Sequence, residues 1–237
     1  MRRFPFESLT NGRPLILGHR GAPMEAAENT LASFQRALAE GADGVELDVR
    51  RTADGVLVVF HDDVLTSGES LAEHSFDELR EITTAHGLAF HPLEEVFREL
   101  GGKGFLNIEL KELETAAGAV NLALALLPPS SYVFSSFLPM VVGECRQRAP
   151  EVPAIYITDS ARDPERLLAL LEQMDASGVG LWHEAVTDQL AQFLTARNVP
   201  LFVWTVNDIA EAQRLAKLRA TGIITDLPGV MHTALTQ

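Results

Sequence analysis

Eight short apolar runs, separated by stretches in which apolar residues recur three and four apart, constrain this chain more than any other feature. The runs are 15–17, 45–49, 106–110, 132–134, 154–157, 179–182, 201–206 and 222–225. Leu31, Phe34 and Leu38 carry the helical spacing after the first run, and Leu190, Phe193 and Leu194 carry it after the sixth. Strands alternating with amphipathic helices build repeated βαβ units and a parallel sheet. From Asn107 through Phe134, Ile155, Leu181 and Val203 to Ile224, the steps are 27, 21, 26, 22 and 21 residues. Eight runs at that pitch fit a closed (β/α)8 TIM barrel, which typically takes about 250 residues. A doubly wound open sheet shares the periodicity, but no glycine fingerprint follows the first run. Neither a linker nor a low-complexity stretch interrupts the pattern, so residues 1–237 read as one domain.

One run breaks the alternation. Val56 to Phe60 follows the second run with no room for a helix, and Asp54-Gly55 lies between them. Asp-Gly between apolar strands is a strong turn signal. Residues 45–61 therefore read as a hairpin arm after barrel strand two. A turn centred near Asp54 brings His61 back to the level of Leu47, beside Glu46 and Asp48. Asn29 or Thr30 can cap the first helix, and Gly41 can close it.

Alternation along the strands selects the chemistry. In 44–50, GVELDVR, Glu46 and Asp48 share one face and Val45, Leu47 and Val49 the other. The apolar face packs under helices, so the carboxylates point into the barrel near a strand C-terminus, where barrel enzymes place their sites. In 106–111, LNIELK, Asn107, Glu109 and Lys111 point inward by the same rule. Burying three carboxylates together costs several kcal/mol per uncompensated ion. Lys111 offsets one charge, and a divalent cation offsets two more. Oxygen ligands suit Mg²⁺ or Ca²⁺ better than zinc. The alternative is a plain ion-pair cluster with Arg50, Arg51 and Lys111, but both arginines lie toward the turn. His19 and His61 each end an apolar run beside these acids, and histidine is the side chain suited to proton transfer near neutral pH. Gly21 permits a sharp exit after His19-Arg20. Trp204 reads as a pocket wall, with Ser136 and Phe137 at the same level. His183 ends the sixth strand on that barrel end, without an assigned role.

Composition bears on partners. The chain carries 19 basic and 33 acidic residues, a net charge of −14. That balance argues against nucleic acid, whose phosphates are met by clustered Lys and Arg, and against docking on anionic lipid. A small anionic substrate in a locally positive site remains. Cys145 is the single cysteine, which excludes an internal disulfide and suits a buried thiol in a reducing compartment. The first fourteen residues lack the apolar core of a secretory signal, and no run approaches the roughly 18 apolar residues of a membrane span. The expectation is a cytoplasmic protein without stable membrane anchoring, monomer and homodimer both open.

The motifs together resemble the glycerophosphodiester phosphodiesterase family. The matching stretches are HRG at 19–21, ENT at 28–30, GADGVELDVRRTADGVLVVFHDDVL at 41–65, LNIELK at 106–111, SSF at 135–137, WTVN at 204–207 and GIITDLP at 222–228. The resemblance implies a barrel enzyme that hydrolyses glycerophosphodiesters to glycerol 3-phosphate and an alcohol. It implies that Glu46, Asp48 and Glu109 bind one divalent metal ion, Mg²⁺ or Ca²⁺. It implies His19 and His61 as the acid–base pair. Arg20 and Lys111 would hold the phosphate, Lys111 counting also with the catalytic groups, and Phe137 and Trp204 would line the pocket. Two departures stand out. Ala27 replaces the proline usual before ENT, and Leu65-Thr66-Ser67-Gly68-Glu69 stands where a Leu-x-Arg-Thr-Thr run usually opens a small inserted subdomain. Two rivals remain: a lysophospholipase D-type phosphodiesterase, and a non-catalytic barrel that binds phosphate esters.

Overall fold

A computed structural model describes residue 6 and residues 12–236. In chain order the elements are β1 (Leu15–Gly18), α1 (Leu31–Ala39), β2 (Gly44–Arg51), β3 (Leu57–Val59), α2 (Phe76–Ala85), α3 (Leu93–Leu100), β4 (Phe105–Leu110) and α4 (Leu113–Leu126). They continue as β5 (Tyr132–Ser136), α5 (Pro139–Arg148), β6 (Ala154–Thr158), α6 (Pro164–Gln173), β7 (Gly178–Trp182), α7 (Asp188–Ala196), β8 (Leu201–Trp204), α8 (Ile209–Lys217), β9 (Gly222–Thr225) and α9 (Pro228–Thr236). Every strand but β3 pairs in parallel, and β1 bonds to both β9 and β2, which closes an eight-stranded barrel. Leu17 lies opposite Gly44 on one side and Ile224 on the other. The open-sheet alternative is thereby excluded.

The barrel wall sorts side chains by parity. Val45, Leu47, Val49, Ile108 and Leu110 face outward into the main core with Phe34 and Ala37 of α1 and Ala116 and Ala119 of α4. Leu15, Leu17, Phe105, Val133, Ile155, Phe202 and Ile224 fill the interior, where Phe6 meets Phe202 edge-on at 5.4 Å between ring centroids. The apolar filling leaves the polar inward residues of β2 and β4 at the carboxyl end of the barrel.

β2 runs on past the barrel and pairs antiparallel with β3, Val49 opposite Val59 and Arg51 opposite Leu57. The Phe60 N–H donates to the Asp48 carbonyl at 3.0 Å, which carries the register on to His61. The turn closes through the Gly55 N–H on the Thr52 carbonyl at 2.9 Å, with Gly55 at φ +87°. Val58, Leu65, Leu71, Leu79 and Phe90 form a small core of their own beside this pair, with α2 as its cover. β8 ends at Trp204, short of the apolar run to Val206, because the Val206 N–H turns to the Ile224 carbonyl at 2.9 Å. Cys145 is 1 % exposed in the main core, and burial pushes its thiol up to about 12. Among the described residues no helix is long and apolar enough to cross a membrane.

Candidate active site

Adjacent parallel strands in register place the acids. Asp48 and Glu109 are Cα partners across β2 and β4, and Glu46 lies opposite Asn107 one level below. All three carboxylates are buried, and each offers an oxygen within 4.8 Å of the others. They face a cavity of about 120 Å³ also lined by His19, Arg20, His61 and Lys111. Ile155, Ile157, Trp204 and Ile224 supply its apolar lining. Phe137, 42 % exposed, meets Trp204 edge-on at 5.4 Å at the mouth. Every residue assigned to the site from the sequence therefore lines one cavity.

The β1–α1 loop supplies the cover. Arg20 sits at φ +54°, its N–H donates to Glu46 Oε2 at 3.0 Å, and its guanidinium reaches Glu28 Oε1 at 2.7 Å and Asp48 Oδ2 at 3.3 Å. Gly21 follows at φ +96°, where a Cβ would lie 2.3 Å from Ser33 Oγ. No other residue type fits there without moving α1.

His19 is held from across the barrel seam. Its Nδ1 lies 2.7 Å from Asp226 Oδ1, and Asp226 Oδ2 accepts from Asn207 Nδ2 at 2.7 Å. Burial opposes the charge on both members. Burial is the largest single influence on each, and it is outweighed only in sum, by their hydrogen bond together with the charge of Glu46 on His19 and the Asn207 bond on Asp226, which holds the His19 imidazole above its ordinary range and the Asp226 carboxyl below. An ionised Asp226 can only accept, so Nδ1 carries the proton and Nε2 is left for a reacting group. His61 is fixed differently. Its Nδ1 lies 2.7 Å from Asp62 Oδ1, and Arg50 Nε donates to its carbonyl at 2.6 Å.

The acids divide by partner. Burial works against an ionised Asp48, but Lys111 at 2.7 Å, Arg20 and Asn29 lower it. Burial, then the charge of Asp48, pushes Glu46 up to about 8. The same two causes raise Glu109, even though Lys111 donates to it. Glu46 Oε1 is buried with no hydrogen-bond partner. A hard divalent cation fits this set: three oxygen donors on converging strands, with one lone oxygen uncommitted.

Sequence reasoning missed Asp226, Asn207 and the part Asn29 plays. Asn29 does not cap α1; Thr30 does, accepting from the Ser33 N–H at 3.2 Å. His183 is not in the cavity: its Nδ1 faces Glu211 at 3.7 Å. β7 ends at Trp182, and His183 opens a 3-10 turn, His183–Ala185, that carries it off the strand and away from the cavity. Arg50 and Arg51 stay toward the turn, outside the cavity.

Residues 19–230 match the glycerophosphoryl diester phosphodiesterase family. A glycerophosphodiester phosphodiesterase of Caldanaerobacter subterraneus subsp. tengcongensis is 30 % identical over 233 residues, covering 91 % of this chain and 95 % of that protein. A phosphodiesterase of Oleispira antarctica, solved in complex with the product sn-glycerol-3-phosphate, superposes with a TM-score of 0.85 at 26 % identity, covering 97 % of this chain and 99 % of that one. The glycerophosphodiester phosphodiesterase of Thermotoga maritima gives 0.81 at 28 % identity, covering 93 % and 97 %.

Proposed function

Because the chain belongs to the glycerophosphoryl diester phosphodiesterase family, we propose that its cavity hydrolyses glycerophosphodiesters to glycerol 3-phosphate and an alcohol. The observation that carries this reading is the meeting of three buried carboxylates with His19 and His61 in one cavity. Binding alone has no use for two imidazoles whose Nδ1 atoms are each taken by a carboxylate.

Glu46, Asp48 and Glu109 would hold one divalent cation, Mg²⁺ or Ca²⁺. Bound there, it would offset two of the three acid charges and would stabilise charge on the phosphoryl oxygens. Without it, Glu46 keeps its proton near neutral pH, and Asp48 and Glu109 against Arg20 and Lys111 sum to 0; with it, and that proton displaced, the sum is +1. A phosphodiester anion therefore meets no net attraction in the bare site and is attracted by the loaded one.

Arg20 and Lys111 then bind the phosphoryl oxygens, and Trp204 and Phe137 wall off the hydrocarbon of the substrate from water. One imidazole accepts the proton of the nucleophile, water or the neighbouring glycerol hydroxyl, as its oxygen bonds to phosphorus; after attack by the glycerol hydroxyl, water opens the resulting cyclic phosphodiester to glycerol 3-phosphate. The other gives a proton to the alcohol oxygen as the ester bond breaks. Asp226 holds His19 in the tautomer that either task requires.

The test is a substrate panel with Mg²⁺ and Ca²⁺ compared: glycerophosphocholine, glycerophosphoethanolamine and lysophosphatidylcholine. Release of glycerol 3-phosphate from the first two is expected. Cleavage confined to the lysolipid would replace this reading with the lysophospholipase D-type one, and no cleavage of any ester would leave a binding barrel.

A further inference from the structure

The Glu28-Asn29-Thr30 segment stands 15 or more residues from any of the acids in sequence, yet each of its members has a separate task at the site. Thr30 caps α1. Glu28 takes the Arg20 guanidinium. Asn29 grips Asp48 at both ends: its Nδ2 donates to Asp48 Oδ2 at 2.8 Å, and its Oδ1 accepts from the Asp48 N–H at 3.2 Å. Its own N–H donates to the Arg20 carbonyl at 3.0 Å. The side chain of Asn29 is buried, and its backbone is left-handed at φ +56°.

That conformation is the informative part. Glycine meets φ +56° most cheaply, and asparagine accepts it at some cost. If the loop needed only the turn, glycine would serve as well. What glycine lacks is the amide. A carboxamide alone has a donor and an acceptor side by side, matched to the carboxylate and backbone N–H of one residue. Aspartate would lose the donor, and glutamine would overreach.

We infer that Asn29 is a positioning residue of the cation site, holding the Asp48 carboxylate in the orientation that sets divalent-cation affinity. The inference rests on the proposal that Glu46, Asp48 and Glu109 bind a cation. The clamp fixes the Asp48 carboxylate against its own backbone, so its torsions are settled before a ligand arrives. Arg20 treats Glu46 likewise through its N–H. Both carboxylates of β2 are thus steadied by one loop, which ties the HRG and ENT motifs to a shared purpose. Outer partners of metal-ligating side chains commonly change affinity about 10–100-fold when removed.

The experiment titrates Mg²⁺, Ca²⁺ and Mn²⁺ calorimetrically into the full chain, freed of metal, as wild type, Asn29→Gly and Asn29→Ala. Melting temperatures in EDTA serve as the folding readout. Asn29→Ala strains the backbone; Asn29→Gly does not. The inference predicts that both variants bind cations about 10–100-fold more weakly, while both still unfold cooperatively in EDTA, Asn29→Gly at a higher temperature than Asn29→Ala. Wild-type cation affinity in Asn29→Gly overturns it, whatever the melting temperature. A wild type that binds none of the three ions removes the cation site itself, and this inference with it.

Discussion

The Nδ1 of His19 lies 2.7 Å from the Oδ1 of Asp226, a hydrogen bond that joins the first barrel strand to the end of the last. The two residues are 207 positions apart in sequence. Closure of the barrel between β1 and β9 brings them together. The bond leaves His19 Nε2 for the proton transfer proposed above and favours the charged imidazole against the cost of burial.

Asp226→Asn keeps the shape and removes the charge. The asparagine amide can donate to Nδ1, which stabilises the wrong tautomer. We expect kcat to fall on the order of 10²-fold or more. The sign for pH is fixed as well. Asp226 raises the His19 pKa, so its loss moves the His19 limb of the pH–rate profile to lower pH. Steady-state rates across pH check both, and an unmoved limb would detach Asp226 from His19.

His19→Ala and His61→Ala should each lower kcat by about 10²–10⁴ if both imidazoles move protons. Single-turnover rates separate this from slow product release. A variant with the wild-type rate takes that histidine out of the mechanism.

Glu46 holds a proton near neutral pH, since burial and the charge of Asp48 push it up to about 8. A cation must displace that proton. Loading should therefore release close to one proton per ion below pH 8, and affinity should rise with pH until about 8 and then level off. Calorimetry in two buffers of different ionisation heat measures the release. Glu46→Gln should abolish it and weaken binding; unchanged affinity in that variant would contradict the ligand assignment.

Gly21→Ala tests the loop. Its φ of +96° and the 2.3 Å approach to Ser33 Oγ leave no room for a methyl group. We expect a loss of about 1–3 kcal/mol in urea unfolding, together with weaker cation binding as Arg20 shifts off Glu46. Stability and affinity equal to wild type would show that the loop yields freely.

Much of this site is legible in the chain because strand parity is a local rule. Glu46, Asp48, Glu109 and Lys111 point inward together for the same reason that Val45, Leu47 and Ile108 point out. The turn at Asp54-Gly55 is equally local, and through it His61 returns to the cavity. Asp226 was in view within GIITDLP, but its role depends on a contact made only when the barrel closes. Asn29 misled because one residue type serves two local purposes: an asparagine before a helix reads as a cap, and here Thr30 takes that place. His183 lies just past the end of β7, in a 3-10 turn, and apolar runs alone do not fix where a strand stops.

Phosphodiester hydrolysis in this cavity is expected to require a divalent cation held by Glu46, Asp48 and Glu109. The most direct measurement is glycerol 3-phosphate release from glycerophosphocholine by protein stripped with EDTA, then resupplied with Mg²⁺ or Ca²⁺. No release is expected after stripping, with recovery on adding at least one of the two ions. Full release by the stripped protein, or none under any condition, would contradict it.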